Sequence, residues 1–256
     1  MSPAFISILT FSLVFLSTIA GMIMQYILPE HHLSEDSKTI IKASRSVVIG
    51  LAALTLGLLI ATAKESFDTK GAELKSSASK MIVINRLLLK YGHKSYEANN
   101  ALKSVAMNGI KILEKTNSEG IDPKILRGEG IDIFLNKLLE LPEDTTQEKW
   151  IKSTVLSLWN DMAISRWKIY ENSSATVSPL FIFTLIFWLM TIFFSLGLIA
   201  PPNLVVMAAL LMANVSMTGA ILLTLELDQP YGGLVHISTE PLNMALKQFQ
   251  FIELNN

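Results

Sequence analysis

"VVIGLAALTLGLLIATAKESFDTK", residues Val47 to Lys70, begins as a lipid-facing run and ends as a water-facing one, with no proline at the junction. Val47 to Ala63 carry no charge, and then Lys64, Glu65, Asp68 and Lys70 follow within two turns. A membrane-crossing helix needs about 20 mainly apolar residues for a hydrocarbon core of about 30 Å. The run is short by that measure and reaches it when Arg45 and Lys64 bury their stems and keep their charges in the headgroups, giving a span at about 45–63. From Ala63 to Tyr91 only Gly71 disfavours a helix. The stretch therefore predicts one helix that crosses a bilayer and continues into water.

The rest of the chain repeats this alternation of solvents. Three more segments have the length and composition of spans, at about 4–28, 180–200 and 204–225. Only 17% of the 256 residues are charged, against roughly 25% in an ordinary soluble domain. Residues 64–179 hold 17 of the 21 Lys and Arg and 15 of the 22 Asp and Glu. The expected fold is all-α, with a transmembrane hairpin over 1–63, a helical domain over 64–179, a second hairpin over 180–225 and a tail over 226–256. The first span lacks the basic flank and small-x-small cleavage pattern of a signal peptide.

Four spans put both termini and the middle domain on one side. Lys64, Lys70, Lys75, Lys80, Arg166 and Lys168 flank the spans there, against Lys38, Lys42 and Arg45 in the loop 30–46 on the other. The bias places the middle domain and termini of a multi-pass membrane protein in the cytoplasm. Within the middle domain Leu102, Val105, Ala106, Ile110 and Leu113 keep helical spacing, as do Ile151, Val155, Leu158 and Met162. Breaks are expected at Tyr91-Gly92, 117–120, 127–130 and Pro142, with Asp144 or Thr145 capping the helix that follows. That last helix, from Thr145 to Glu171, is expected to run on into the third span.

Composition removes several function classes. There is no cysteine, hence no disulfide or thiolate metal site. Net charge is −1 with acids and bases interleaved, so nucleic acid is not an expected partner. No charged residue lies inside a span, which argues against a proton-coupled transporter or voltage sensor. His31 and His32, beside Glu30, Glu35 and Asp36, have metal-ligating chemistry, but adjacent histidines point apart and solvated loop residues are the simpler reading. Asp228, His236 and Ser238 supply the types of a hydrolytic triad without a Gly-x-Ser-x-Gly elbow, so no catalytic role is assigned and no cofactor is expected.

What remains inside the spans is small or mildly polar. Gly50, Ala53, Gly57 and Ala61 form one face of span two, suited to close packing within the chain or between copies. Asn214 and Thr218 share a face of span four and suit either an interhelical hydrogen bond or the lining of an ion pathway. Phe183, Phe187, Met190 and Phe194 form a stripe on span three that would face lipid, core or a hydrophobic constriction. At the end of span four Glu226 and Asp228 are expected to emerge into hydrated surroundings, Pro230 to stop the helix, Tyr231 to anchor at the interface and Gly232-Gly233 to turn the tail back.

Leu227-Asp228-Gln229-Pro230-Tyr231-x-Gly233, followed by Ser238-x-x-Pro241-Leu242 and Ala245-Leu246, resembles the C-terminal signature of the bestrophin-like family of four-span bacterial membrane proteins. Ser66-Phe67-Asp68, and Asn85-Arg86-x-Leu88 leading to Tyr91-Gly92, agree with it. Gln229 stands where the family commonly has arginine, and Asn85 where it commonly has aspartate. The resemblance implies likeness to bestrophins, oligomeric anion channels with a cytoplasmic helical extension. The expected function is thus a homo-oligomeric ion channel or channel-like protein in the lipid bilayer. Its Glu226 and Asp228 would ring the cytoplasmic mouth, where local charge favours cations, divalent ones included. The competing expectation is a non-conducting scaffold or sensor acting through its helical bundle.

Overall fold

A computed structural model describes residues 2–29, 34–115, 129–171, 177–229 and 233–254. Its described residues form eight α-helices and no strand: α1 Pro3–Ile27, α2 Glu35–Tyr91, α3 Tyr96–Lys115, α4 Glu129–Leu139, α5 Thr146–Glu171, α6 Pro179–Ile199, α7 Leu204–Asp228 and α8 Glu240–Leu254. α1, α2, α6 and α7 are long and apolar enough to cross a membrane. The chain divides into two compact units, Met1–Glu65 with Ala175–Asp228, and Ser66–Ser174 with Gln229–Asn256.

The helix predicted from the Val47–Lys70 stretch is present as α2, which runs unbroken for 57 residues, about 85 Å at the α-helical rise. It starts earlier than expected, within what the sequence suggested was loop 30–46. Ser34 provides the cause: its Oγ accepts from the Ser37 N–H at 3.3 Å, and Glu35 and Asp36 place negative charge in the first turn. The helix ends at Tyr91 because Gly92 takes φ 94°, a left-handed conformation that glycine tolerates.

In the first unit α1 packs against α6 and α7. Its buried stripe is Ser7, Thr10, Val14, Thr18 and Gly21, mostly small and mildly polar. Ser7, Thr10 and Thr18 donate to carbonyls one turn back at 2.8 to 3.0 Å, so their hydroxyls are satisfied without water. Gly21 and Gly197 make the α1–α6 contact so close that a Cβ on either would collide with the other helix's backbone, at the Phe194 or Thr18 carbonyl. Two bonds fix the register: Ser17 Oγ donates to the Met190 carbonyl at 2.8 Å, and Asn214 Nδ2 donates to the Phe11 carbonyl at 3.2 Å.

α5 does not run on into the third span. α6 begins afresh at Pro179, with Ser178 extended at φ −62°, ψ 131° as its N-cap. Proline at the first helical position has no N–H to donate back and disfavours helical geometry in the residue before it. α7 in turn runs three residues past the expected end, to Asp228, and stops one residue short of Gln229, which precedes Pro230.

The second unit is built on an apolar core that includes Ile84, Leu88, Leu102, Phe134, Val155 and Phe249. Thr145 and Glu148 form a reciprocal capping box at the start of α5, the Thr145 N–H donating to Glu148 Oε2 at 2.8 Å and the Glu148 N–H to Thr145 Oγ1 at 3.1 Å. The C-terminal segment belongs to this unit: α8 packs on α3, burying Leu242, Ala245 and Phe249. Buried Lys152 donates to the Leu139 and Leu141 carbonyls at 2.9 and 2.8 Å and so terminates α4 with positive charge.

Candidate functional site

The polar pair of span four is separated by its surroundings. Asn214 is 1% exposed, donates to α1 and accepts from Thr218 Oγ1 at 3.3 Å. That bond is the interhelical alternative of the two that the sequence left open. Thr218 is half-buried and orients the amide.

Glu226 and Asp228 depart furthest from expectation. Instead of emerging into water they are 5% and 6% exposed, at the end of a run buried from Thr224 to Asp228. Asp228 Oδ1 accepts from the Val177 backbone N–H at 3.2 Å, two residues before Pro179 opens α6. A buried carboxylate is retained where N–H donors meet it, and here it ties the entry of span three to the exit of span four. The added turn of α7 beyond Leu225 carries both acids inward.

The small face of span two shows the opposite. Gly50, Ala53, Gly57 and Ala61 are exposed in the single chain, and a Cβ added at Gly50 or Gly57 would meet nothing within 4 Å. Leu54 and Leu58, on the neighbouring stripe, are 75% and 65% exposed. The glycines of the membrane-length helices that pack within the chain are Gly21 and Gly197, to which the sequence alone assigned no role. Their signal is the small residues at three- and four-residue spacing through Val14, Thr18 and Gly21. On span three Phe183 and Phe187 are exposed while Met190 and Phe194 are half-buried, so the stripe turns from the unit's outside toward α1.

Several motif residues of the second unit make contacts within it. Tyr91 is buried and its hydroxyl donates to the Pro142 carbonyl, while Ser95 Oγ donates to the Leu88 and Gly92 carbonyls and locks the corner. Asn85 is fully buried and donates to Asn99 Oδ1 at 2.6 Å across α2 and α3. Arg86 is exposed on the opposite side of α2. Gly233 takes φ 97°, as a glycine turn requires. Pro230, Tyr231 and Gly232, and the histidines His31 and His32, lie outside the described residues. His236 and Ser238 are exposed, and Ser238 Oγ accepts from the Glu240 N–H at 3.1 Å as a helix cap.

Charge in this unit is organised by lysines. Lys94 bonds Asp144 at 2.8 Å and Glu148 at 3.1 Å, which raises the lysine's pKa and lowers that of Glu148. Lys137 pairs with Glu97 and Glu140, lowering the Glu97 pKa through the hydrogen bond it donates. The Arg166 guanidinium lies 4.9 Å from the centre of the Trp159 ring, and burial pulls its pKa down against the opposing charge of Asp132. Among the described residues no three His, Asp or Glu are grouped to hold a metal ion.

A family model described as Bestrophin-like domain matches residues 11–242, most of the chain and all four membrane-length helices in whole or large part. No curated protein and no solved structure matches it.

Proposed function

The chain belongs to the bestrophin-like family, and on that premise we propose that it is a homo-oligomeric ion channel whose copies assemble through the open face of span two. The observation that carries the reading is the exposed surface of Gly50, Ala53, Gly57 and Ala61. In lipid no hydrophobic force drives helices together, so small residues gain by letting backbones approach, and a Gly/Ala face leaves poor contact with acyl chains. Within one chain that face has no helix against it at the two glycines. A second copy supplies one.

Among the described residues α1 and α6 pack too closely to leave a path between them, and in this reading conduction belongs to the assembly. The uncharged stretches 4–28, 47–63, 180–200 and 204–225 suit passive conduction better than coupled transport. The protein is an inner-membrane protein with both termini and the second unit in the cytoplasm in this reading, following its lysine and arginine bias. Burial of both acids, Glu226 and Asp228, with the bond from Val177 to Asp228, favours a role for Asp228 in holding spans three and four together over an acidic ring open to permeant ions.

Single-channel recording of purified protein in planar bilayers tests the proposal. Discrete currents are expected, with a reversal potential under asymmetric salt that identifies the permeant charge. Silence from a folded, inserted oligomer would replace the channel with a scaffold acting through the second unit.

A further inference from the structure

The second unit carries two surfaces of opposite sign. On α2 the exposed side, opposite the buried Leu74, Met81, Ile84 and Leu88, displays Lys75, Arg86 and Lys90. At 100° per residue the three lie within about 60° of one another around the helix. None makes an ion pair with a described residue, whereas Lys80, Lys94, Lys137 and Lys152 all do. Arg86 and Lys90 are four apart, where like charges repel.

Around the turn between α4 and α5 the balance is reversed. Lys94, Lys137 and Lys152 engage five carboxylates there: Glu97, Glu140, Glu143, Asp144 and Glu148. Lys137 is shared between Glu97 and Glu140, and Lys94 between Asp144 and Glu148. Glu140 and Asp144 remain 65% and 67% exposed, with oxygen lone pairs left over for a second cation.

We infer that the Arg86–Lys90 face of one copy docks on the acidic Glu140–Asp144 turn of the next. This extends the proposed homo-oligomer and rests on that reading. The two surfaces differ, so the contact is head-to-tail, and a head-to-tail contact closes a ring when its rotation divides a full turn. Such a ring is the arrangement a channel built from identical copies requires. Complementary charge at this contact fixes register and suppresses wrong pairings.

The test is the mass of the full chain in detergent, read by light scattering from about 0.05 to about 0.5 M salt, because exposed pairs are screened as the Debye length shortens. Paired reversal, Arg86→Glu with Lys90→Glu, is expected to weaken association about tenfold or more, and Glu140→Lys with Asp144→Lys to do the same. Combining both pairs restores it. Arg86→Gln with Lys90→Gln guards against misfolding by reversed charge and is expected to give an intermediate loss at unchanged melting temperature. The inference is overturned if wild-type assemblies persist in the reversed and neutral variants alike, or if the combined swap associates no better than either half while melting like wild type. A wild-type chain that is single at every salt would instead sink the oligomeric reading beneath it.

Discussion

Gly21 and Gly197 on one side, and Gly50 and Gly57 on the other, are the same residue in helices of similar hydropathy with opposite surroundings. At the α1–α6 crossing a Cβ would strike a backbone carbonyl, whereas on α2 it would meet open space. Small residues in membrane helices mark close approach, and the contrast separates approach completed within the chain from a small-residue face left open. The first kind builds the fold. The second supports the channel proposal, because it leaves span two with a surface suited to another helix.

The largest effect is expected from closing the filled side. Gly197→Val or Gly21→Val forces two backbones apart at a contact without flexible side-chain ends to yield, beyond the roughly 1–3 kcal/mol usual for overpacking. Detergent-solubilised variants should fail to give a monodisperse folded species by size exclusion. Wild-type melting in Gly197→Val would show that the α1–α6 crossing is looser than described.

Next is the pin between spans three and four. Asp228→Ala leaves the buried Val177 N–H without its acceptor and is expected to cost about 1–3 kcal/mol, with Asp228→Asn milder because an amide oxygen can still accept. Thermal melts of the three proteins check the order. If Asp228 instead served an open ring of charge, Asn would shift reversal potential and leave melting untouched.

A smaller effect belongs to Asn214→Leu, which removes the bond to the Phe11 carbonyl. Interhelical bonds of this kind average about 0.6 kcal/mol in membranes, so a slight fall in melting temperature is expected with assembly intact. A change in conductance without a change in stability would return Asn214 to the pathway.

The second unit answers to pH. Glu148 has its pKa lowered, first by the Lys94 hydrogen bond, so this contribution is complete above the ordinary carboxylate value of about 4.3 and is lost as pH falls through the lower folded value. Lys94 has its pKa raised, so its share persists below about 10.4 and is lost only above that, as pH rises through the folded value. The pair predicts no change in melting between pH 6 and 9 (roughly the window both conditions leave). Lys94→Met should flatten the acid-side loss, and an unaltered acid limb would remove the pair from the account.

Much of the fold was legible because hydropathy and helix punctuation act locally. The uncharged runs located all four membrane-length helices, the lack of a breaker after Ala63 gave the long α2, and of the two expected caps, Asp144 and Thr145, Thr145 is the one that forms. What was not legible depended on neighbours distant in sequence. The motif around Asp228 looked like a helix leaving the membrane, but its carboxylate is buried and meets the Val177 N–H, fifty-one residues earlier. Likewise the Gly/Ala pattern on span two was visible, but nothing in it told whether the chain's own helices would fill it. The pairing of Gly21 with Gly197 needed the three-dimensional crossing of two helices far apart in the chain.

The most direct measurement is the mass of the assembly in lipid nanodiscs for wild type and Gly57→Leu. The account predicts a multiple of the 28.3 kDa chain for wild type and a single folded chain for the variant, since leucine fills the approach and suits lipid. A wild-type single chain, or an assembly indifferent to leucine at position 57, would contradict it.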